Sequence, residues 1–107
     1  MSKYRPECRE SDRPALPDDT AYFLIHQSVC KRRALIHGAL HRGQYHCAIG
    51  AFWVDNPKAT LHSALIDEVA AVNDSVPPSA SPKERWKKVT GWLRWKMKVL
   101  ATHGAST

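Results

Sequence analysis

The sequence lacks long apolar runs, and its few cysteines are irregularly spaced. The longest apolar run near the start, residues 21–25, is far shorter than the roughly 18 residues that cross a bilayer. The first residues lead into a charged segment rather than a signal peptide, so we expect a cytoplasmic protein without a membrane span. The three cysteines, Cys8, Cys30 and Cys47, form no Cys-x-x-C pair, which argues against a zinc knuckle or a thioredoxin-type motif.

Sequence motifs for enzyme chemistry are also missing. The chain has no Gly-rich phosphate loop, no nucleotide-binding fingerprint and no paired carboxylates at the spacing used in acid–base catalysis. The sequence therefore predicts a protein that is not an enzyme, with no catalytic residues, no cofactor and no bound metal.

The net charge of +6 lies in one C-terminal segment. Residues 83–100 hold seven basic residues and one acidic residue, whereas nine basic and nine acidic residues balance in the rest of the 107-residue chain. A basic segment on a neutral body favours a partner with a negative surface, such as nucleic acid, an acidic protein face or an anionic membrane.

Hydrophobic periodicity predicts a mainly α protein, a compact bundle of about four helices formed by residues 18–102. The charged, proline-containing residues 1–17 are predicted to be a disordered arm, and residues 103–107 a flexible tail. The segment at residues 44–54 is compatible with a short strand, a short helix or a two-residue strand running into a helix, and a short helix is the preferred interpretation. The predicted helices cover about residues 19–40, 47–54, 58–73 and 82–102.

The last helix carries the clearest start signal and the candidate binding surface. Ser81 and Glu84 form a capping box, and Trp92 and Trp95 either border the core or lie exposed beside the charges. Exposed tryptophan among basic residues suits stacking on bases or anchoring in a protein interface. An ordinary solvated helix face is the alternative. Four basic residues share one face of the helical wheel, away from the apolar seam: Lys83, Lys87, Arg94 and Lys98.

The histidines allow a second interpretation, a metal- or thiol-dependent enzyme around Cys47. Cys30 and His37 are separated by roughly 10 Å along a helix axis, so one zinc ion cannot bind on both sides of that gap. A metal site would have to combine His37 and His41 with His46 or Cys47. Histidines at the surface or the core edge are the simpler explanation.

Two short motifs resemble a pattern found in small uncharacterised phage and bacterial proteins. Residues 47–51 read Cys-Ala-Ile-Gly-Ala, and residues 68–74 end a helix in Asn-Asp. The first helix is far more basic here than in that pattern. The resemblance implies a small helical fold and a phage or mobile-element setting, and it assigns no catalytic residues.

These features predict a non-enzymatic binding protein that docks on a host protein or nucleoprotein complex with an acidic surface. The small size and the lack of catalytic motifs fit an inhibitor of a bacterial defence system, such as an anti-CRISPR, acting in the host cytoplasm. Direct DNA or RNA binding by the same helix is an alternative, although a proline-rich linker rather than a tight turn precedes that helix. The identity of the partner and a homodimer through exposed tryptophans stay open.

Overall fold

The fold is mainly α, as predicted, with four helices and one short hairpin in the described part of the chain. The computed structural model describes residues 14–38, 41–43 and 45–105, so most of the predicted disordered arm lies outside the described residues. No helix among these residues is both long enough and apolar enough to cross a bilayer. The elements are α1 (Asp18–Arg32), β1 (His41–Arg42), β2 (Tyr45–His46), α2 (Ala48–Asp55), α3 (Ser63–Ser75) and α4 (Pro82–Ala105).

The structured part of the chain begins before α1, and α1 is shorter than predicted. Leu16 packs against the core and its N–H donates to the Thr60 carbonyl at 2.8 Å. The prediction that the first helix continues to residue 40 was wrong, because Arg33 adopts the left-handed φ of +58°. Leu35, which had extended the apolar stripe, is instead buried after the chain turns. Tertiary packing has overridden the helical periodicity there.

The hairpin was not predicted, whereas α2 was. β1 and β2 pair antiparallel, with His41 opposite His46 and Arg42 opposite Tyr45. The Ile36 N–H donates to the His46 carbonyl at 3.0 Å, which holds the hairpin beside the end of the preceding loop. α2 matches the predicted short helix, and residues 48–53 are all buried because this helix is apolar on every side.

α3 starts later than predicted and α4 starts where the capping box places it. The predicted start near residue 58 was wrong, because Leu61 lies in an irregular segment before α3. The apolar stripe nevertheless predicted correctly that Leu61 is buried. At the start of α4, the Glu84 N–H donates to Ser81 Oγ at 3.1 Å and the Ser81 N–H donates to Glu84 Oε1 at 3.4 Å. α4 reaches Ala105, so it extends into the predicted tail.

A polar network joins three of the helices. Tyr22 of α1 donates its hydroxyl to Glu68 of α3, whose other carboxylate oxygen accepts from Lys96 of α4 at 3.2 Å. Burial, followed by the hydrogen bond to Glu68, raises the pKa of Tyr22. At the other end of α1, Arg32 forms a bidentate pair with Asp55, with both N–O distances at 3.0 Å. These contacts fix α1 between α2 and α4.

Candidate partner-binding surface

The rotation of α4 about its axis is fixed by its buried side. Val89 and Leu93 are completely buried, and the Trp86 indole N–H donates to the Val29 carbonyl of α1 at 2.8 Å. Arg85 is also buried and donates to carbonyls at the C-terminus of α3. The opposite side of α4 therefore faces solvent over residues 83–102.

The four basic residues predicted for the binding surface are all exposed. The first and last of them, Lys83 and Lys98, are 15 positions apart in the sequence, which corresponds to about 22 Å along the helix axis. None of the four forms an ion pair with an acidic residue in the part of the chain that the structure describes. We call this set the basic stripe: Lys83, Lys87, Arg94 and Lys98.

The two tryptophans predicted for the same surface have different environments. Trp95 is 54% exposed, whereas Trp92 is half-buried against Tyr22, with ring centroids 6.0 Å apart and an edge-on geometry. The centroids of the Trp92 and Trp95 rings are 6.3 Å apart. Trp92 therefore borders the core and supports Trp95, which is the aromatic side chain available to a partner. Lys88, which we had not assigned to the surface, is exposed on the Trp95 side of the stripe.

An apolar groove lies between α1 and α4, and sequence analysis missed it. Phe23 of α1 is 50% exposed and lines the groove. Phe23 directly follows Tyr22, which is buried, and successive side chains of a helix point about 100° apart. The sequence could therefore have predicted that Phe23 is exposed. Arg94 is exposed on α4, and its charge lowers the pKa of His26 of α1, after the larger effect of burial. The remaining lining residues are Asp19, Met97, Leu100 and Ala101.

Gly91 lies between the basic stripe and Trp95, with Lys87 four residues before it and Trp95 four residues after. No other element packs closely against Gly91, since nothing outside the adjoining backbone of α4 lies within 4 Å of a Cβ built there. Gly91 therefore leaves a notch in the exposed face of α4.

Replacing Gly91 by alanine is expected to raise the free energy of unfolding by about 1 kcal/mol, because alanine is the better helix former and no steric clash opposes it. Urea unfolding of the two proteins measures the difference. Ala101→Gly in the same helix is the matched reverse substitution and is expected to destabilise. Loss of stability in the Gly91→Ala protein would show that the helix is strained at this residue.

Cys47 caps the N-terminus of α2. Its Sγ accepts from the Gly50 N–H at 3.3 Å at the start of α2, and the side chain is buried. Burial raises the pKa of the Cys47 thiol to about 11. The reactive thiolate is therefore scarce at neutral pH, which removes the main support for a thiol enzyme centred on this residue.

The structure brings His41 and His46 together in one pair and His26 and Cys30 together in another. His41 and His46 meet across the hairpin with their Nδ1 atoms 2.6 Å apart, and Cys30 Sγ lies 3.4 Å from His26 Nε2 on α1. Burial, and then the charge of His41, lower the pKa of His46. Within the described ranges, no group of three or more metal-ligating side chains occurs, so the ligand set that the alternative metal site would require, His37 and His41 with His46 or Cys47, is not assembled.

The two motifs that carry the family resemblance meet in the structure. Asn73 is fully buried; its Oδ1 accepts from the Ala48 N–H at 3.2 Å and its Nδ2 donates to the Ile36 carbonyl at 2.8 Å. Asp74 accepts from the Gly38 N–H at 3.0 Å. These side chains join α3 to the start of α2 and to the loop after α1, which is a structural role. The resemblance itself stays a prediction, since comparisons with protein-family models, curated proteins and solved structures found no match.

Proposed function

We propose that this is a non-enzymatic binding protein of phage or mobile-element type. It docks on an acidic surface of a host protein or nucleoprotein complex, in the host cytoplasm, as an inhibitor of a defence system such as an anti-CRISPR would. The observation that carries the proposal is the basic stripe, whose charges have no acidic partner among the described residues, beside exposed Trp95.

The arrangement of charge on α4 costs folding stability. Lys83 and Lys87, like Arg94 and Lys98, stand four residues apart, and like charges at that spacing destabilise a helix by about 0.2–0.5 kcal/mol per pair. Ordinary solvated faces mix both signs, whereas the one acidic residue of α4, Glu84, is held in the capping box. A negatively charged partner would offset the repulsion, so the pattern favours binding over simple solvation.

Apolar side chains on both sides of the basic stripe favour a protein surface as the partner. Trp95 is exposed on one side, and Phe23 with its groove lies on the other. Interface affinity is concentrated in aromatic anchors surrounded by polar contacts. Direct nucleic-acid binding is the second candidate, because an exposed tryptophan among cations also suits base stacking.

The test is capture of partners from bacterial lysate by the wild type and by the Lys87→Glu/Arg94→Glu protein. Two reversed charges in one interface are expected to weaken capture by about 100-fold or more, because like-charge contacts cost several kcal/mol. Arg33→Glu/Lys58→Glu is the matched control, since it makes the same charge change at exposed positions outside α4.

The outcomes separate the candidates. A protein partner that survives nuclease and is lost only with the α4 variant supports the proposal. Capture of nuclease-sensitive material alone, with an affinity that falls steeply as salt rises, favours direct nucleic-acid binding. Undiminished capture by a folded Lys87→Glu/Arg94→Glu protein would rule out the basic stripe as the contact surface.

A further inference from the structure

The hairpin presents two imidazole rings at one point on the surface. His41 and His46 are direct cross-strand partners in the antiparallel pair of β1 and β2. Directly opposite residues of such a pair project to the same face of the strands. The ring centroids are 4.8 Å apart at an interplanar angle of 87°, and the two Nδ1 atoms are 2.6 Å apart. The two rings therefore approach each other within hydrogen-bonding distance, and a metal ion bound by both nitrogens would replace that contact.

The distance between these nitrogens is shorter than the spacing of two ligands on one metal ion, so the rings must separate slightly to bind one. Imidazole nitrogen binds transition metals at about 2.0–2.1 Å, so two ligands at adjacent square-planar positions lie about 2.9 Å apart and two tetrahedral ligands about 3.3 Å apart. The observed 2.6 Å is nearer to the square-planar value. His41 is exposed, so a small ring rotation reaches that spacing. Cu²⁺ prefers square-planar nitrogen sites and leads the affinity order of divalent metals.

We propose that His41 and His46 form a two-histidine site for Cu²⁺, with Ni²⁺ as the weaker alternative. The protein supplies the two cis nitrogen ligands, and water occupies the open positions. Arg42 in β1 and Arg32 of α1 place positive charge nearby, which Asp55 offsets in part through its pair with Arg32. This charge limits the affinity, so the site is suited to reversible binding rather than permanent retention.

The test is Cu²⁺ titration of the full chain without a histidine tag, followed by electron paramagnetic resonance. One Cu²⁺ with two imidazole nitrogens in its equatorial plane is the expected spectrum of the wild type. His41→Ala and His46→Ala should each weaken binding at least about tenfold, because the second ligand no longer acts at a high effective concentration. His62→Ala is the matched control, since His62 is exposed and has no side-chain capping bond at the start of α3. Parallel Ni²⁺ titration avoids copper oxidation of thiols.

The spectrum of the wild type tests the proposal even if a variant fails to fold. The site is supported if the wild type binds one Cu²⁺ through two nitrogens, if both hairpin variants lose this binding, and if His62→Ala keeps it. Absence of binding at micromolar protein and metal overturns it. Binding that persists in both hairpin variants but is lost in His26→Ala also overturns it, and assigns the metal to His26 and Cys30.

Discussion

Replacing Arg85 by alanine is expected to lower the free energy of unfolding by about 3–5 kcal/mol. Arg85 is 2% exposed, and its guanidinium donates to the carbonyls of Asn73, Val76 at 2.6 Å and Pro77 at 2.9 Å. Carbonyls at a helix end have no partner within the helix and carry the negative end of its dipole. Alanine would leave a cavity and remove the donors of three carbonyls at once.

Urea unfolding monitored by circular dichroism measures the loss of stability. Two further variants serve as controls. Lys88→Ala removes an exposed cation from the same helix and is expected to change stability by less than about 0.5 kcal/mol. Arg85→Lys keeps the charge but lacks the planar fork that reaches several acceptors, so its stability should fall between those of the wild type and Arg85→Ala. A loss below about 1 kcal/mol in Arg85→Ala would contradict the capping role.

The basic residues of α4 therefore divide into two groups by function. Arg85 caps α3, and Lys96 pairs with Glu68 while lying 5.7 Å from the centre of the Tyr22 ring. Both act inside the fold. The basic stripe and Lys88 are exposed to solvent, so the net charge of the segment overstates the surface charge of the helix.

Local patterns were enough to predict the helices with strong sequence signals. The capping box located the start of α4, and the helical wheel placed the basic stripe on one exposed face. The small, continuously apolar segment at α2 was assigned correctly because a buried helix is apolar all round. In each case, the deciding information lies within about four residues of the element.

The features that sequence analysis missed depend on contacts between distant residues. Arg85 can be recognised as a cap only when the end of α3 is known to lie beside it. The contact between His41 and His46 can be predicted only when the register of the hairpin is known. The exposure of Trp95 and the partial burial of Trp92 depend on where Tyr22 of α1 lies. Helical periodicity alone also continued α1 past Arg33, since it contains no information about the reversal of the chain.

Replacing Asn73 by aspartate is expected to destabilise the protein by about 3–5 kcal/mol at pH 7, because it buries a carboxylate. The nearby guanidinium of Arg85 donates to backbone carbonyls, including that of residue 73, rather than to this side chain. The substitution keeps the shape of the side chain, so no cavity forms. The carboxylate can still accept from the Ala48 N–H, but it cannot donate to the Ile36 carbonyl, and it faces Asp74 Oδ1, to which Asn73 Nδ2 donates at 3.0 Å.

The loss of stability in Asn73→Asp should depend on pH in a direction that identifies its cause. Burial and the neighbouring Asp74 raise the pKa of the introduced carboxyl in the folded state above its unfolded value of about 3.9. The folded state then favours the protonated form, so the penalty is present at neutral pH and shrinks as pH falls towards about 4. Asp74→Asn is the matched control, because it retains an oxygen that accepts from the Gly38 N–H and removes one charge instead of adding one. Unfolding measured from pH 7 to pH 4 should show the gap between Asn73→Asp and wild type closing. A gap that stays constant with pH would mean that the lost donor, and not the buried charge, accounts for the destabilisation.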